Sequence, residues 1–508
     1  MSARRSGILI PLFSSASERS WGVGDIGDLQ YVTSWLHDAG QRVLQLLPIN
    51  EMAPSQQSPY SAISAMAIDP IYIDVDAIPE FAALGGARSL SPDDRSLLAR
   101  VRESAAVEYA AVRPLKDRAL RAACGRFVDA EIRRDTDRAR AFAAFLANQA
   151  WWVDEYALFR SIHFDQGERP WMEWPEPLRR RDRGALADAR FALANEVTYR
   201  QFLQWVAHTQ WVHARENAAG VALFGDLPFM VDGDSADVWA RQDQFHLDVS
   251  LGVPPDAFSD TGQDWGMPVY RWEPIERDGF AWLRERARRT ADLYDGYRID
   301  HLVGFYRTYG RPKNGAPAFF TPDTEAAQTA LGETLMKIFA GAGAEIIAED
   351  LGVVPDFVRA SLARLGIPGF RVFRWERYWH GEGQPFVDPA DYPAVSVATS
   401  GTHDTETTIA WWESATERDR DQVRAVVKRS DVDLDALLEV LMASRSNLVL
   451  FPVQDVFGWR DRINEPGTVN ERNWTFRLPW PSDRLDEVAA ARERQSVVRE
   501  WSRKYGRL

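Results

Sequence analysis

Several short apolar runs in this chain end in groups able to do chemistry. Residues 221–228 (VALFGDLP) deliver Asp226, residues 296–301 (GYRIDH) deliver Arg298, Asp300 and His301, and residues 345–351 (EIIAEDL) deliver Glu349 and Asp350. Residues 395–402 run into His403 and Asp404, and residues 448–453 into Gln454 and Asp455. Arg298 and Asp300 lie two apart, so on a strand their side chains share one face. An Arg beside a carboxylate keeps it ionised. An ionised Asp facing a second carboxyl that can hold a proton is the pattern of retaining glycoside cleavage. There one carboxylate attacks the anomeric carbon and the other, ~5–5.5 Å away, protonates the leaving oxygen. A third carboxylate could stabilise oxocarbenium charge or grip sugar hydroxyls. Helix capping is the competing use of an Asp at such a position. It suits Asp350 or Asp455, but accounts poorly for Glu349 and not at all for Arg298 beside Asp300.

Carboxylates at the ends of successive runs need a frame that gathers those ends. Runs at residues 7–12, 43–48 and 369–375 bring the set to eight, all short and rich in Val, Ile, Leu and Phe, as buried parallel strands are. Helix-period segments at 28–39, 199–219, 280–294 and 324–340 lie between many of them. Eight strands alternating with helices predict an α/β fold, a (β/α)8 TIM barrel, whose chemistry sits at the carboxyl ends of its strands. A doubly wound sheet is the alternative. The 508 residues would suggest about three domains at ~150 residues each, yet one barrel with insertions reaches the same length. The reading is a single barrel over 1–508, with a helical insertion at 76–195 and a loop-rich substrate-binding insertion at 229–279, both on the carboxyl-end face.

Composition narrows the class of partner. Sixty basic against 74 acidic residues leave a net charge of −14, the wrong sign for a nucleic-acid binder or a polybasic membrane protein. No segment approaches the ~20 apolar residues of a membrane span, and the apolar stretch at 7–13 is too short for a signal peptide. One cysteine, Cys124, fits a reducing compartment, so the chain reads as soluble and cytoplasmic. The 20 tryptophans are the unusual feature. Trp35, Trp205, Trp211 and Trp282 fall within helical runs and read as packing. Trp21, Trp265, Trp379, Trp459 and Trp474 fall in or near strand-end loops and read as platforms for flat ligands such as sugar rings.

Three other motifs fail on inspection. Gly22-Val-Gly-Asp-Ile-Gly27 fits a dinucleotide fingerprint, but Asp25 and Asp28 would repel a pyrophosphate there. Asp431-Val-Asp433-Leu-Asp435 opens like a calcium loop, but Ala436 and Met442 occupy the positions that need Gly and Glu. Asp300-His301 and His403-Asp404 could ligate a metal, but no further histidine pair sits at a strand end.

Taken together, the motifs resemble the 4-α-glucanotransferases of the amylomaltase type, glycoside hydrolase family 77. The resemblance runs from Gly7-Ile-Leu-Ile-Pro11 to Leu478-Pro479 and rests on stretches in the family's order. They are Ser20–Gly27, Gln45–Pro48, Ser58–Ser61, Gly225–Pro228, Gly252–Asp256, Gly262–Gly266, Tyr297–His301, Ala348–Gly352 and Gly401–Asp404. It implies Asp300 as nucleophile, Glu349 as general acid/base and Asp404 as transition-state stabiliser. Asp226, Arg298, His301 and His403 would line donor subsites, and Tyr60, Asp256, Gln263 and Trp265 would be substrate-loop contacts, the last arching over the cleft. It implies no cofactor and no metal, with malto-oligosaccharides and α-1,4-glucans as the molecules bound. The residues themselves leave an α-amylase-like hydrolase or a non-catalytic glucan binder open, and only the resemblance favours transfer. They do not choose between monomer and homodimer. One departure stands out: Asp69 occupies a position where that family usually has Asn.

Overall fold

The computed structural model describes residues 4–54, 56–254, 262–468 and 470–508. Eight parallel strands form a closed barrel: Arg5–Leu9, Val43–Gln45, Ala222–Leu227, Gly296–Ile299, Glu345–Ala348, Gly369–Val372, Ser396–Thr399 and Leu448–Pro452. Each pairs with its neighbours in sequence, and the first closes on the eighth. All eight coincide with the apolar runs, and the (β/α)8 expectation holds.

Strand periodicity aims the polar residues inward. Val43, Phe224, Ile347, Phe370, Val397 and Leu448 form a buried cluster drawn from six strands that fills the barrel. Each such side chain contributes roughly 1.5–3 kcal/mol by leaving water. Phe224 points in, so Asp226, two residues on, points in as well. Asp226 lies directly across the third and fourth strands from Arg298. The ladder continues past the strand ends, where Asp300 N–H donates to Leu227 O and Glu349 N–H to Ile299 O, both at 3.0 Å. The catalytic candidates are therefore held by sheet hydrogen bonds rather than by free loops.

Asp350 and Asp455 turn elsewhere. The Asp350 carboxylate accepts the Phe370 N–H at 2.7 Å and tethers the fifth strand to the sixth. Asp455 accepts the Thr408 N–H at 2.7 Å and hydroxyls of Ser400 and Thr408, so it caps the helix Thr408–Ser414 from the short helix Val453–Phe457. In the glycine-rich segment at 22–27, Gly27 N–H and Asp25 N–H are taken by the carboxylates of Asp25 and Asp28. Asp433 caps the helix Leu434–Met442.

Between the second and third strands the chain is helical, with Pro92–Glu103, Tyr109–Ala130, Asp137–Asp165 and Arg183–Ala192 before Ala194–Glu216. These helices brace the segment that follows the second strand. Gln204 exchanges two hydrogen bonds with the Ile68 backbone, and Arg160 pairs with Glu51 at 2.9 Å. Arg113 grips both oxygens of Asp69 at 3.0 and 2.9 Å, while Asp69 also accepts Met52 N–H and Ile71 N–H. That explains the unusual Asp: a guanidinium fork needs two acceptor oxygens, and an Asn offers one.

Beyond the third strand the structure differs from expectation. Phe245–Val253 and Gln263–Tyr270 are strands, not loops, and with Thr308–Pro312 and Phe319–Thr321 they make a four-stranded antiparallel sheet beside the barrel. The sequence FHLDVSLGV does alternate apolar and polar residues, but its partner QDWGMPVY carries Gly and Pro, which hid the pairing. No helix among the described residues is long and apolar enough to cross a membrane.

Arg113→Met should cost roughly 3 kcal/mol, because it strands a fully buried carboxylate. Asp69→Asn should cost only about 1 kcal/mol, since one acceptor oxygen remains. Thermal and urea unfolding of the two variants checks that order.

Candidate active site

The site is built around one guanidinium. Arg298 is buried, and its Nη1 lies 2.9 and 2.8 Å from the two oxygens of Asp226. Its Nη2 lies 2.9 Å from Oδ1 of Asp300 and 3.9 Å from Oε2 of Glu349. The cation therefore touches carboxyl groups from the third, fourth and fifth strands. A second chain of contacts reaches the seventh strand. Tyr60 O–H donates to Asp226 Oδ2 at 2.8 Å, its oxygen lies 3.1 Å from His403 Nε2, and that nitrogen is 3.2 Å from Asp404 Oδ2. Tyr60 also stacks on the His403 ring at 5.4 Å, with Trp474 against both.

These neighbours divide the carboxyl groups electrostatically. Burial pushes Glu349 up to about 8; Arg298 opposes this and the negative charge of Asp300 adds to it. Glu349 is thus an acid that still carries its proton at neutral pH. The His301 N–H donates to Glu349 Oε2 at 2.7 Å, and Arg298 faces the same oxygen. The His301 N–H occupies Oε2, so the proton belongs on Oε1. For Asp404 the balance is reversed. Partial burial acts to raise it, but His403, a hydrogen bond from Asn464 and the charge of Arg298 hold it well below the ordinary carboxylate range. Asp226 is raised to about 6 by burial, with Arg298 pulling the other way. Burial lowers His301 to about 4, which leaves it neutral. Its backbone sits at φ 41°, in the left-handed region that a non-glycine residue occupies at a cost of order 1 kcal/mol. That turn aims its N–H at Glu349.

The structure brings together nearly all residues singled out from the sequence. Trp265, on the side sheet, meets the His301 ring edge-on at 4.7 Å, and its indole N–H donates to Gln263 Oε1 at 3.1 Å. Gln263 thus reaches the site through Trp265. Asp256 lies outside the described residues.

The tryptophans sort less cleanly. Trp35, Trp205, Trp211 and Trp282 are buried packing residues. Trp21, read as a stacking platform, is 1% exposed, packs on Phe81 and donates to Asp76, so it cannot meet a ligand. The loop position that suggested exposure is roofed by the helical segment. Trp459 lies flat against Phe457 at 4.5 Å, while Trp379 is 55% exposed.

Sequence reasoning missed Asn464 and Arg462. Asn464 donates to Asp404 Oδ1 at 2.6 Å, and Arg462 donates to the Asp404 carbonyl at 2.8 Å. They lie in an irregular segment after the eighth strand, where no periodicity marks a side chain as inward. A strongly polar, aromatic-lined site with one protonated and several paired carboxyl groups is equipped for acid-assisted displacement at an acetal carbon.

A profile of glycoside hydrolase family 77, described as 4-alpha-glucanotransferase, matches residues 10–483. The chain belongs to that family. It is 34% identical to the 4-alpha-glucanotransferase of Thermus thermophilus over 500 residues, covering 93% of this chain and 96% of that protein. The Synechocystis sp. 4-alpha-glucanotransferase is 35% identical over 497 residues, with 93% and 94% covered. Among solved structures, amylomaltase from Streptococcus agalactiae in complex with acarbose matches with a TM-score of 0.84 at 28% identity, covering 99% of each chain. The 4-alpha-glucanotransferase family acts on α-1,4-glucans, and transfer stands over the α-amylase-like alternative.

The electrostatics of this 4-alpha-glucanotransferase site have a measurable sign. Asp300→Asn removes a negative neighbour and should lower the pH at which Glu349 ionises, read by infrared difference titration against Glu349→Gln. Glu349 is raised from an ordinary 4.5 to about 8 in the folded chain, so its ionisation costs stability as pH climbs through that window. Glu349→Gln should therefore match the parent's melting temperature near pH ~4 and exceed it near pH ~9.

Proposed function

We propose that the chain disproportionates α-1,4-glucans by a retaining mechanism through a covalent glucosyl-enzyme, with malto-oligosaccharides as donors and acceptors. In this reading Asp300 attacks the anomeric carbon while Glu349, from Oε1, protonates the departing glycosidic oxygen. Asp404 faces the oxocarbenium-like charge. Glu349 then takes the proton of an incoming sugar 4-hydroxyl, which attacks the intermediate with net retention. Arg298, Asp226, His301 and His403 line the donor side. Tyr60 from the segment after the second strand and Gln263 and Trp265 from the side sheet, together with Asp256, contact the glucan, and the segments at 76–195 and 229–279 serve as insertions that carry or brace those contacts.

One observation carries the reading. A single guanidinium nitrogen lies 2.9 Å from Asp300 and 3.9 Å from a Glu349 that burial keeps protonated. In this reading the shared guanidinium keeps nucleophile and acid near one another, which supports retention; inversion wants a gap of ~6.5–9.5 Å that admits water. The Streptococcus agalactiae amylomaltase was solved in complex with acarbose, which supports a glucan-like ligand for this chain. Lone Cys124, buried and unpaired, supports a cytoplasmic location.

Incubation with maltotriose should yield a ladder of longer and shorter oligosaccharides, and products that are only shorter would overturn transfer. Glu349→Gln should lose turnover on glucans by about three orders of magnitude or more, yet still be glucosylated by a donor whose leaving group needs no proton. Equal loss on both donors removes Glu349 from the acid role. Asp300→Asn should lose both reactions.

A further inference from the structure

Among the described residues, His403 is held at only one of its two ring nitrogens. Its Nε2 faces two acceptors: the Asp404 carboxylate at 3.2 Å and the Tyr60 oxygen at 3.1 Å, whose own proton goes to Asp226. That surrounding assigns the proton to Nε2 and makes Nδ1 a lone-pair acceptor in the neutral ring. Nδ1 is buried and meets no hydrogen-bond donor among the described residues. A buried polar atom left in that condition costs about 1–3 kcal/mol.

Nδ1 is not alone. Both amide atoms of Gln454 and the hydroxyl of Thr407 are likewise buried without partners among the described residues. His403, Thr407 and Gln454 are 2%, 6% and 2% exposed, and all three line one cavity of about 10 Å³. That is room for the centre of roughly one water, and a buried water makes about two to four hydrogen bonds. Thr407 is also the N-cap of the helix Thr408–Ser414, where a threonine ordinarily accepts a helix N–H. Here Asp455 accepts the Thr408 N–H and the Thr407 side chain makes no capping hydrogen bond, so its hydroxyl is left over.

We propose that Gln454 and Thr407 hold one ordered water against Nδ1 of His403, and that this water fixes the ring in the tautomer and orientation that Tyr60 and Asp404 require. The water donates one hydrogen to Nδ1 and one to Gln454 Oε1 or Thr407 Oγ1. It accepts from the Gln454 amide or the Thr407 hydroxyl. Gln454 and Thr407 are positioning residues: they touch no substrate and act through the imidazole. The inference rests on the proposed place of His403 beside the donor sugar, but the site itself can be tested without turnover.

The experiment combines a high-resolution crystal structure of the full chain with nitrogen-15 NMR of the histidine-labelled enzyme, the His403 ring assigned by its loss in His403→Asn. The expected result is a water within hydrogen-bond distance of Nδ1, Thr407 and Gln454, and an Nδ1 resonance typical of a hydrogen-bonded acceptor. In Thr407→Val and Gln454→Leu that resonance should move toward the free-acceptor position, while Thr407→Ser should retain it. For maltotriose, kcat should fall by about tenfold to a hundredfold in the two disruptive variants, with KM changing far less. Absence of the water, or unchanged ring resonances in both variants, overturns the site. A ring shift without loss of kcat overturns the positioning role, and loss of kcat without a ring shift assigns the effect to packing and overturns it too. If wild type gives no transfer products, the proposed function fails, while the crystal and NMR arms still decide the water site.

Discussion

Removing a guanidinium from water is among the more costly acts in folding, and it is tolerated only when carboxylates and hydrogen bonds meet it with good geometry. Arg298 meets that demand on a barrel wall. Asp226 stands in register beside it on the third strand, Asp300 lies two residues on along its own strand, and Glu349 follows at the end of the fifth. Because ladder hydrogen bonds run on to Asp300 and Glu349, the spacing of the groups is set by the sheet. The same charge raises the question of which carboxyl keeps a proton. Burial answers it for Glu349, and the contacts with His403 and Asn464 answer it the other way for Asp404. Two roles emerge from one residue chemistry through environment alone.

The parts outside the barrel serve that arrangement. Tyr60 links Asp226 to His403, yet it sits on a long irregular segment that could not hold a hydroxyl in place unaided. Arg113 on Asp69, Arg160 on Glu51 and Gln204 on the Ile68 backbone clamp that segment from the helices beside it. Those helices extend their hold further. His163 lies between Glu168 and Asp234 at 2.5 and 2.9 Å, which joins the helix Asp137–Asp165 to the segment after the third strand. The side sheet brings Trp265 to His301. Two structures that are separate in sequence thus support one site.

Legibility in the sequence followed periodicity. Each barrel strand showed itself as a compact apolar run, because a strand covered on both faces has no polar side to show. Asp226, Arg298, Asp300, Glu349 and Asp404 could be read because they stand at the ends of such runs. The antiparallel sheet went unread although FHLDVSLGV alternates at every residue, since its partner's Gly and Pro broke the pattern. Asn464 and Arg462 had no pattern to read. They belong to irregular backbone, where neighbours in space are set by the path of the chain and by nothing local. Trp21 shows the converse error: its loop setting suggested exposure, and only packing against Phe81 buried it.

The division between what the chain's sequence determined and what folding decided has a physical basis. Local order along the chain settles which side of a strand a residue faces, so the inward placement of Asp226, Arg298 and the residues just past the strand ends was already written in their spacing. Protonation is a different matter. A carboxyl group's charge depends on the dielectric and on charges within a few ångströms, and those come largely from other strands and loops. Glu349 as an acid and Asp404 as an anion are properties of the closed barrel. No segment carries them alone.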